Sequence, residues 1–264
     1  MATVTSADGT VIAYDRVGEG PVLIVCVGAF CTRTTFVAPP DLARQFTVVT
    51  YDRRGRGDSD DPGVPGDPGP FAAQREYDDL AAVAAATGTG APFLFGHSSG
   101  AAIALRAVAA GLPVAGIVAY EAPFGNDDTP RPDADPAARI RELIAAGRDR
   151  EAVVFWMTEV TRLPGMTPAH LDAAPWMTAL EPLARTLPYD LAVTGGGVPE
   201  AELGKITTPV LILGGSDSPA WFRRSVADQA AATPGAQLRM LDGFGHNAPP
   251  EVIAPILIDF FTGR

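Results

Sequence analysis

The chain has 264 residues, of which 47% are hydrophobic, and it carries a net charge of −11. This length and apolar content suffice for one large α/β core. The negative charge disfavours nucleic acid and acidic membrane surfaces as partners, and no apolar run reaches the roughly 18 residues of a membrane-spanning helix. The first residues lack the basic and apolar regions of a signal peptide, so the expected location is the cytoplasm.

The first 60 residues predict a hairpin and two further strands. Residues 2–17 contain two short β-rich runs around an Asp-Gly pair, which is typical of an antiparallel hairpin, and we expect it at a sheet edge. Strand-like apolar runs follow at 21–28 and 46–51. The second run leads into a polar loop, Asp-Arg-Arg-Gly-Arg-Gly-Asp-Ser, at 52–59.

The pentapeptide Gly-His-Ser-Ser-Gly at 96–100 follows a strand-like run and precedes a helix-like run at 101–110. This order of strand, G-x-S-x-G turn and helix is that of a nucleophile elbow. A serine in so sharp a turn takes a strained backbone conformation, and the flanking glycines remove side chains that would clash there. Only Ser98 has glycine at both two-residue offsets, so it is preferred to Ser99 as the nucleophile. A serine that merely caps the helix is the alternative interpretation.

A serine nucleophile requires a histidine base, and the chain has three histidines. His97 adjoins the nucleophile and is interpreted as a packed, hydrogen-bonded neighbour. His170 follows a Thr-Pro helix start, where a solvated face is expected. His246 lies on a glycine-hinged loop after the last strand-like run at 237–241, and we predict that it is the base.

Two carboxylates lie between serine and histidine in the chain, in the order Ser, Asp/Glu, His. Asp217 stands in a Gly-Gly-x-Asp turn just after the strand-like run at 209–213. Glu121 ends the preceding strand-like run, 115–121. Either carboxylate could orient the imidazole; we prefer Asp217, and Glu121 remains the alternative acid.

The elbow, the D-x-R-G-x-G-x-S loop at 52–59 and the order of these segments make nearly the whole chain resemble the α/β-hydrolase family. The alternation of strands and helices by itself predicts a mostly parallel sheet covered by helices. The resemblance implies an α/β-hydrolase fold, with a mostly parallel eight-stranded sheet flanked by helices and a helical cap inserted after the sixth strand. The implied core comprises residues 1–122 and 204–264, and the implied cap comprises residues 123–203.

The resemblance also implies an oxyanion hole and a covered substrate cleft. The two oxyanion donors would be the backbone N–H groups of Ser99 and Ala29, with Phe30 as the alternative to Ala29. The amphipathic helices of the cap carry Trp156 and Trp176, which are expected, together with Phe30, to contact substrate.

We therefore expect a serine hydrolase that cleaves an ester, thioester or lactone bond of a small, largely hydrophobic molecule through an acyl-enzyme. The alternative is a non-hydrolytic member of the same fold, namely a lyase, a cyclase or a ligand-binding protein. No cofactor is expected. No metal is expected either, because Cys26 and Cys31 are poorly spaced for one and the sequence has no Cys/His cluster. The expected partner is a small-molecule substrate, and the sequence indicates no oligomeric state.

Overall fold

The computed structural model of the chain describes residues 1–61, 63, 66–70, 72–88, 90–126, 128–129, 135–162 and 165–263. Its centre is one eight-stranded sheet in the order β1-β2-β4-β3-β5-β6-β7-β8. The strands are β1 Ala2–Thr5, β2 Val11–Val17, β3 Val22–Cys26, β4 Thr47–Tyr51, β5 Phe93–His97, β6 Gly116–Tyr120, β7 Val210–Gly215 and β8 Gln237–Leu241. The pairs β1–β2 and β2–β4 are antiparallel, and the other neighbours are parallel. The predicted edge hairpin and the mostly parallel sheet are confirmed.

Helices connect most of the strands. They are α1 Pro40–Ala43, α2 Ala72–Thr87, α3 Ser99–Ala109, α4 Pro136–Ala145, α5 Asp149–Phe155, α6 Pro168–Ala173, α7 Met177–Leu180, α8 Leu187–Thr194, α9 Glu200–Leu203, α10 Ala220–Ala232 and α11 Pro250–Thr262. A π-helical segment, Trp156–Val160, continues α5, and a 3₁₀ segment, Glu181–Thr186, joins α7 to α8. Within the described ranges, no helix is long and apolar enough to cross a membrane.

Two apolar layers bury the sheet, because successive side chains of a strand point to opposite faces. In β3, Leu23 and Val25 pack into one layer, which α1 and α11 cover. Ile24 and Cys26 pack into the other, with residues of α2, α3 and α10. The near-continuous apolar strands thus reflect a parallel sheet that is covered on both faces.

Between β6 and β7 the described chain forms helices α4 to α9 and no strand. Most buried apolar side chains of this segment, including Val153, Trp156 and Met177, form a third cluster, whereas Val193 of α8 and Leu203 of α9 pack into the sheet layer that contains Ile24. Ala29 and Phe30, in the loop after β3, pack against this cluster. The helical segment therefore lies against the loop in which the sequence predicts an oxyanion donor.

Candidate active site

The loops that follow parallel strands meet at the carboxyl edge of the sheet, where α/β proteins usually bind ligands. They enclose a cavity of about 980 Å³. Ser98 and His246 line it, as do Ala29 and Phe30 and residues of the helical segment between β6 and β7. The structure therefore brings together residues that lie far apart in the sequence.

Ser98 stands at a sharp turn between β5 and α3. Its backbone has φ 56° and ψ −130°, a conformation that costs a non-glycine residue energy. A Cβ on Gly96 would lie 2.5 Å from the Cα of Ala101, and one on Gly100 would lie 2.0 Å from the carbonyl oxygen of Cys26. Side chains at these two positions are therefore excluded, which agrees with the interpretation of the pentapeptide as an elbow.

His246 contacts a buried carboxylate. Its Nδ1 lies 2.8 Å from Oε2 of Glu121. The other carboxylate oxygen of Glu121 accepts the Gly215 N–H at 2.8 Å and the Ser218 hydroxyl at 2.6 Å. Burial raises the pKa of Glu121, but the hydrogen bonds from His246 and Ser218 outweigh burial, and the net pKa lies below the usual value. The carboxylate is thus held ionised beside the imidazole.

The preference for Asp217 as the partner of His246 is wrong. Asp217 is exposed, and its carboxylate accepts a hydrogen bond from the Ser216 hydroxyl at 3.0 Å. In this turn the next residue, Ser218, points inward and donates to Glu121. Because Ser218 takes the inward position, the carboxylate that meets His246 comes from the end of β6 instead.

The loop that carries His246 is hydrogen-bonded to side chains at the ends of β5 and β6. His97 Nε2 donates to the carbonyl oxygen of His246 at 2.8 Å, and the Tyr120 hydroxyl donates to that of Gly245. The His246 ring lies between His97, with ring centroids 4.9 Å apart, and Phe222, at 5.1 Å. Burial lowers the pKa of His97 to about 4, so it stays neutral at pH 7. The interpretation of His97 as a hydrogen-bonded neighbour is confirmed.

The residues predicted to supply the oxyanion donors line the same cavity as Ser98. The Ser99 N–H is the first of α3 and has no acceptor within that helix. Among the described residues, the N–H groups of Ala29 and Phe30 also form no backbone hydrogen bond. A Cβ on Gly28 would lie 2.8 Å from that of Ser98, so the loop after β3 runs directly beside Ser98.

Two of the three predicted substrate contacts lie at the cavity. Phe30 and Trp156 line it, with their rings edge to face and the centroids 6.3 Å apart. Trp176 is 39% exposed and lies outside the cavity lining. Its neighbour Met177 is fully buried. Adjacent helical side chains point in different directions, so the inward position of Met177 leaves Trp176 at the surface.

A buried ionic cluster, which the sequence patterns did not predict, lies beneath the turn at Ser98. Arg53 and Arg56, from the loop after β4, both donate to the carboxylate of Asp190 in α8, at 2.6 and 2.7 Å. The available signal was an unpaired acid within the apolar run 187–193, together with three arginines in four residues at 53–56.

Metal-binding groups of three or more His, Cys, Asp or Glu are absent from the part of the chain that the structure describes.

A family model described as "alpha/beta hydrolase family" matches residues 22–254 of the chain. The chain belongs to this family. An alpha/beta hydrolase from Sphaerobacter thermophilus DSM 20745 is 42% identical, covers 98% of this chain and all of its own, and superposes with a TM-score of 0.89.

More distant α/β-hydrolase structures share the fold. The esterase RhEst1 from Rhodococcus sp. ECU1013 is 22% identical, with a TM-score of 0.69 over 99% of this chain and 98% of its own. The enol-lactonase from Burkholderia xenovorans LB400 is 16% identical, with a TM-score of 0.76 over 99% of this chain and 100% of its own. These two structures show the fold, and the family match together with the 42% identical hydrolase supports hydrolase activity for this chain in general terms.

Proposed function

We propose that the protein is a serine hydrolase that cleaves an ester, thioester or lactone bond of a small, largely hydrophobic molecule through an acyl-enzyme. One observation carries the proposal. The His246 Nδ1 lies 2.8 Å from the buried Glu121 carboxylate, while the same imidazole and Ser98 line one cavity. An imidazole held in this way has a fixed tautomer and orientation and is stabilised when it becomes imidazolium.

In the proposed reaction, Ser98 Oγ attacks the substrate carbonyl carbon as its proton passes to His246 Nε2. The N–H groups of Ser99 and Ala29 stabilise the oxyanion that forms. The carbon–oxygen or carbon–sulfur bond then breaks, and His246 gives the proton to the leaving group. Water, deprotonated by His246, then attacks the acyl carbon, the bond to Ser98 Oγ breaks, and His246 returns the proton to Oγ. Among the described residues Ser98 Oγ forms no hydrogen bond to His246, and catalytic hydrogen bonds of this kind often tighten only when substrate binds.

The lining of the cavity supports the proposal that the substrate is small and largely hydrophobic. This lining is mainly apolar and includes Phe30, Trp156, Met157, Val160 and Leu191. We assign Phe30 and Trp156 to substrate binding. We also propose that residues 123–203 form a cap over a core of residues 1–122 and 204–264. Solved esterases and an enol-lactonase with the same fold agree with this class of reaction.

A fluorophosphonate probe tests the mechanism. We expect the wild-type protein to be labelled at Ser98, as mapped by peptide mass spectrometry, and to hydrolyse short p-nitrophenyl esters. The Ser98→Ala variant should fold, lose the label and retain less than about a tenth of the turnover, because loss of a nucleophile usually costs several orders of magnitude. Labelling at another residue, or an active Ser98→Ala variant, would refute covalent catalysis by Ser98. A labelled protein that hydrolyses no ester, thioester or lactone would indicate a non-hydrolytic member of the family.

A further inference from the structure

Four charged side chains meet in the interior below the elbow. Arg53 and Arg56 are buried and both donate to the buried carboxylate of Asp190. Arg53 also donates to buried Glu76 of α2, at 2.6 Å. The two positive and two negative charges balance. Buried ion pairs add little net stability because desolvation offsets their attraction, so stability alone is a weak reason for this cluster.

One arm of the cluster reaches the residue after the nucleophile. The Asp190 Oδ1 accepts the Ser99 hydroxyl at 2.6 Å, and Arg53 Nη1 donates to the same hydroxyl oxygen at 3.1 Å. The Ser99 side chain is therefore held from two sides. Its backbone N–H, which lies at the start of α3, is one of the two proposed oxyanion donors.

The other arm reaches the loop after β3. The second oxygen of Asp190 accepts from Arg56 Nη2. Arg56 Nη1 donates to the carbonyl oxygens of Gly28, at 2.6 Å, and Cys31, at 3.4 Å. These two carbonyls flank Ala29, whose N–H is the second proposed donor. One carboxylate is thus linked to both sides of the proposed oxyanion hole.

We infer that Asp190 is a positioning residue that sets the spacing between the two oxyanion donors. This inference rests on the proposed serine hydrolase function. Donors stabilise an oxyanion only when they lie about 2.7–3.1 Å from it, and the benefit is realised in the transition state. Leu191, the next residue of α8, lines the cavity, so the helix that carries Asp190 also forms part of the cavity wall.

The test compares Asp190→Asn with Asp79→Asn. Both aspartates are buried and bind arginine. Asp79 accepts two hydrogen bonds from Arg54, each at 2.8 Å, and among the described residues it bonds neither to the turn at Ser98 nor to the loop after β3. We expect Asp190→Asn to lower kcat about 30-fold with KM changed less than about twofold, since only transition-state contacts are weakened. Its affinity for a boronic acid that forms a tetrahedral adduct on Ser98 should fall in parallel. The Asp79→Asn control should keep wild-type kcat even if its melting temperature falls.

Ser99→Ala supplies a second variant that removes no charge and keeps the backbone N–H. It should lower kcat about threefold at unchanged KM, and less than that in the Asp190→Asn background, because both substitutions break the same hydrogen bond. The inference is overturned if Asp190→Asn and Asp79→Asn lose equal kcat, or if KM rises while kcat holds. If Asp190→Asn does not fold, a Ser99→Ala enzyme with wild-type kcat overturns it. A wild-type protein without label or hydrolysis overturns the proposed function, and this inference with it.

Discussion

Glu121 combines a strained backbone with a buried charge. Its φ is 50°, in the left-handed region, directly after β6. Its N–H donates to the carbonyl oxygen of Leu213 at 3.0 Å, which ties the turn to β7. This turn aims the carboxylate at His246 instead of continuing the strand. Such strain persists only where the surroundings enforce it, and it often marks a functional position.

Replacing Glu121 tests the assignment of the acid. Glu121→Gln should lower kcat about 10³- to 10⁴-fold, because the amide cannot balance imidazolium and can present the wrong hydrogen-bonding partner to Nδ1. Asp217→Asn is the matched control and should keep near-wild-type turnover, since that side chain is exposed. Steady-state kinetics on a p-nitrophenyl ester measure both. A larger loss in Asp217→Asn would return the role to Asp217.

Sequence patterns singled out Ser98, His246 and both candidate carboxylates for the predicted site, because each follows a strand whose apolar pattern is clear. They could not decide between Asp217 and Glu121, because that choice depends on which side chain points inward in the turn after β7. The same holds for Trp176 and Met177. The sequence shows Asp190 as an acid within an apolar run, but it could not show its partners, because Arg53 and Arg56 lie more than 130 residues away in the chain.

The π-helical segment Trp156–Val160 forms one wall of the cavity. The N–H of Thr161 bonds to the carbonyl of Trp156, five residues back, at 2.9 Å. Such π-turns are rare and often occur at functional sites. Trp156, Met157 and Val160 all line the cavity from this segment. Amphipathic periodicity predicted a helix here but carried no signal for the wider turn.

Trp156→Ala should shift the preference among acyl chain lengths toward longer chains, because the indole occupies space beside Phe30. It should also cost roughly 3–5 kcal/mol of stability, as for other buried aromatic residues. Trp176→Ala is the control: its exposed ring predicts unchanged preference and a stability change within about 0.5 kcal/mol. Rates on a series of p-nitrophenyl esters and the unfolding free energy in urea test both. Unchanged preference in Trp156→Ala would place that ring in a purely structural role.

The neutral state of buried His97 makes the stability of the folded protein depend on pH. The unfolded chain takes up a proton near the usual pKa of 6.5, whereas burial holds the pKa of folded His97 at about 4. Stability that depends on neutral His97 is therefore fully present above pH 6.5 and is lost as the pH falls toward 4.

His97→Gln separates this effect from the other acidic groups of the chain. Glutamine cannot take up the proton, yet its amide can still donate to the His246 carbonyl. Between about pH 7 and 4, wild-type melting temperature should therefore fall more steeply than that of the variant. Thermal unfolding followed by circular dichroism measures the difference, in which contributions common to both proteins cancel. Parallel curves would show that His97 titrates normally in the folded protein.

The ionic cluster also limits which segments of the chain can be exchanged with those of related proteins. Exchange of the segment between β6 and β7 among relatives would change which substrate is enclosed, yet Asp190 travels with that segment while Arg53 and Arg56 stay in the sheet-bearing part. A chimera whose graft lacks an acid at this position would leave two guanidinium groups in the interior with Glu76 as the only carboxylate of the cluster. Recombination should therefore yield folded chimeras mainly when the donor segment brings its acid, or when the arginine loop is exchanged together with it.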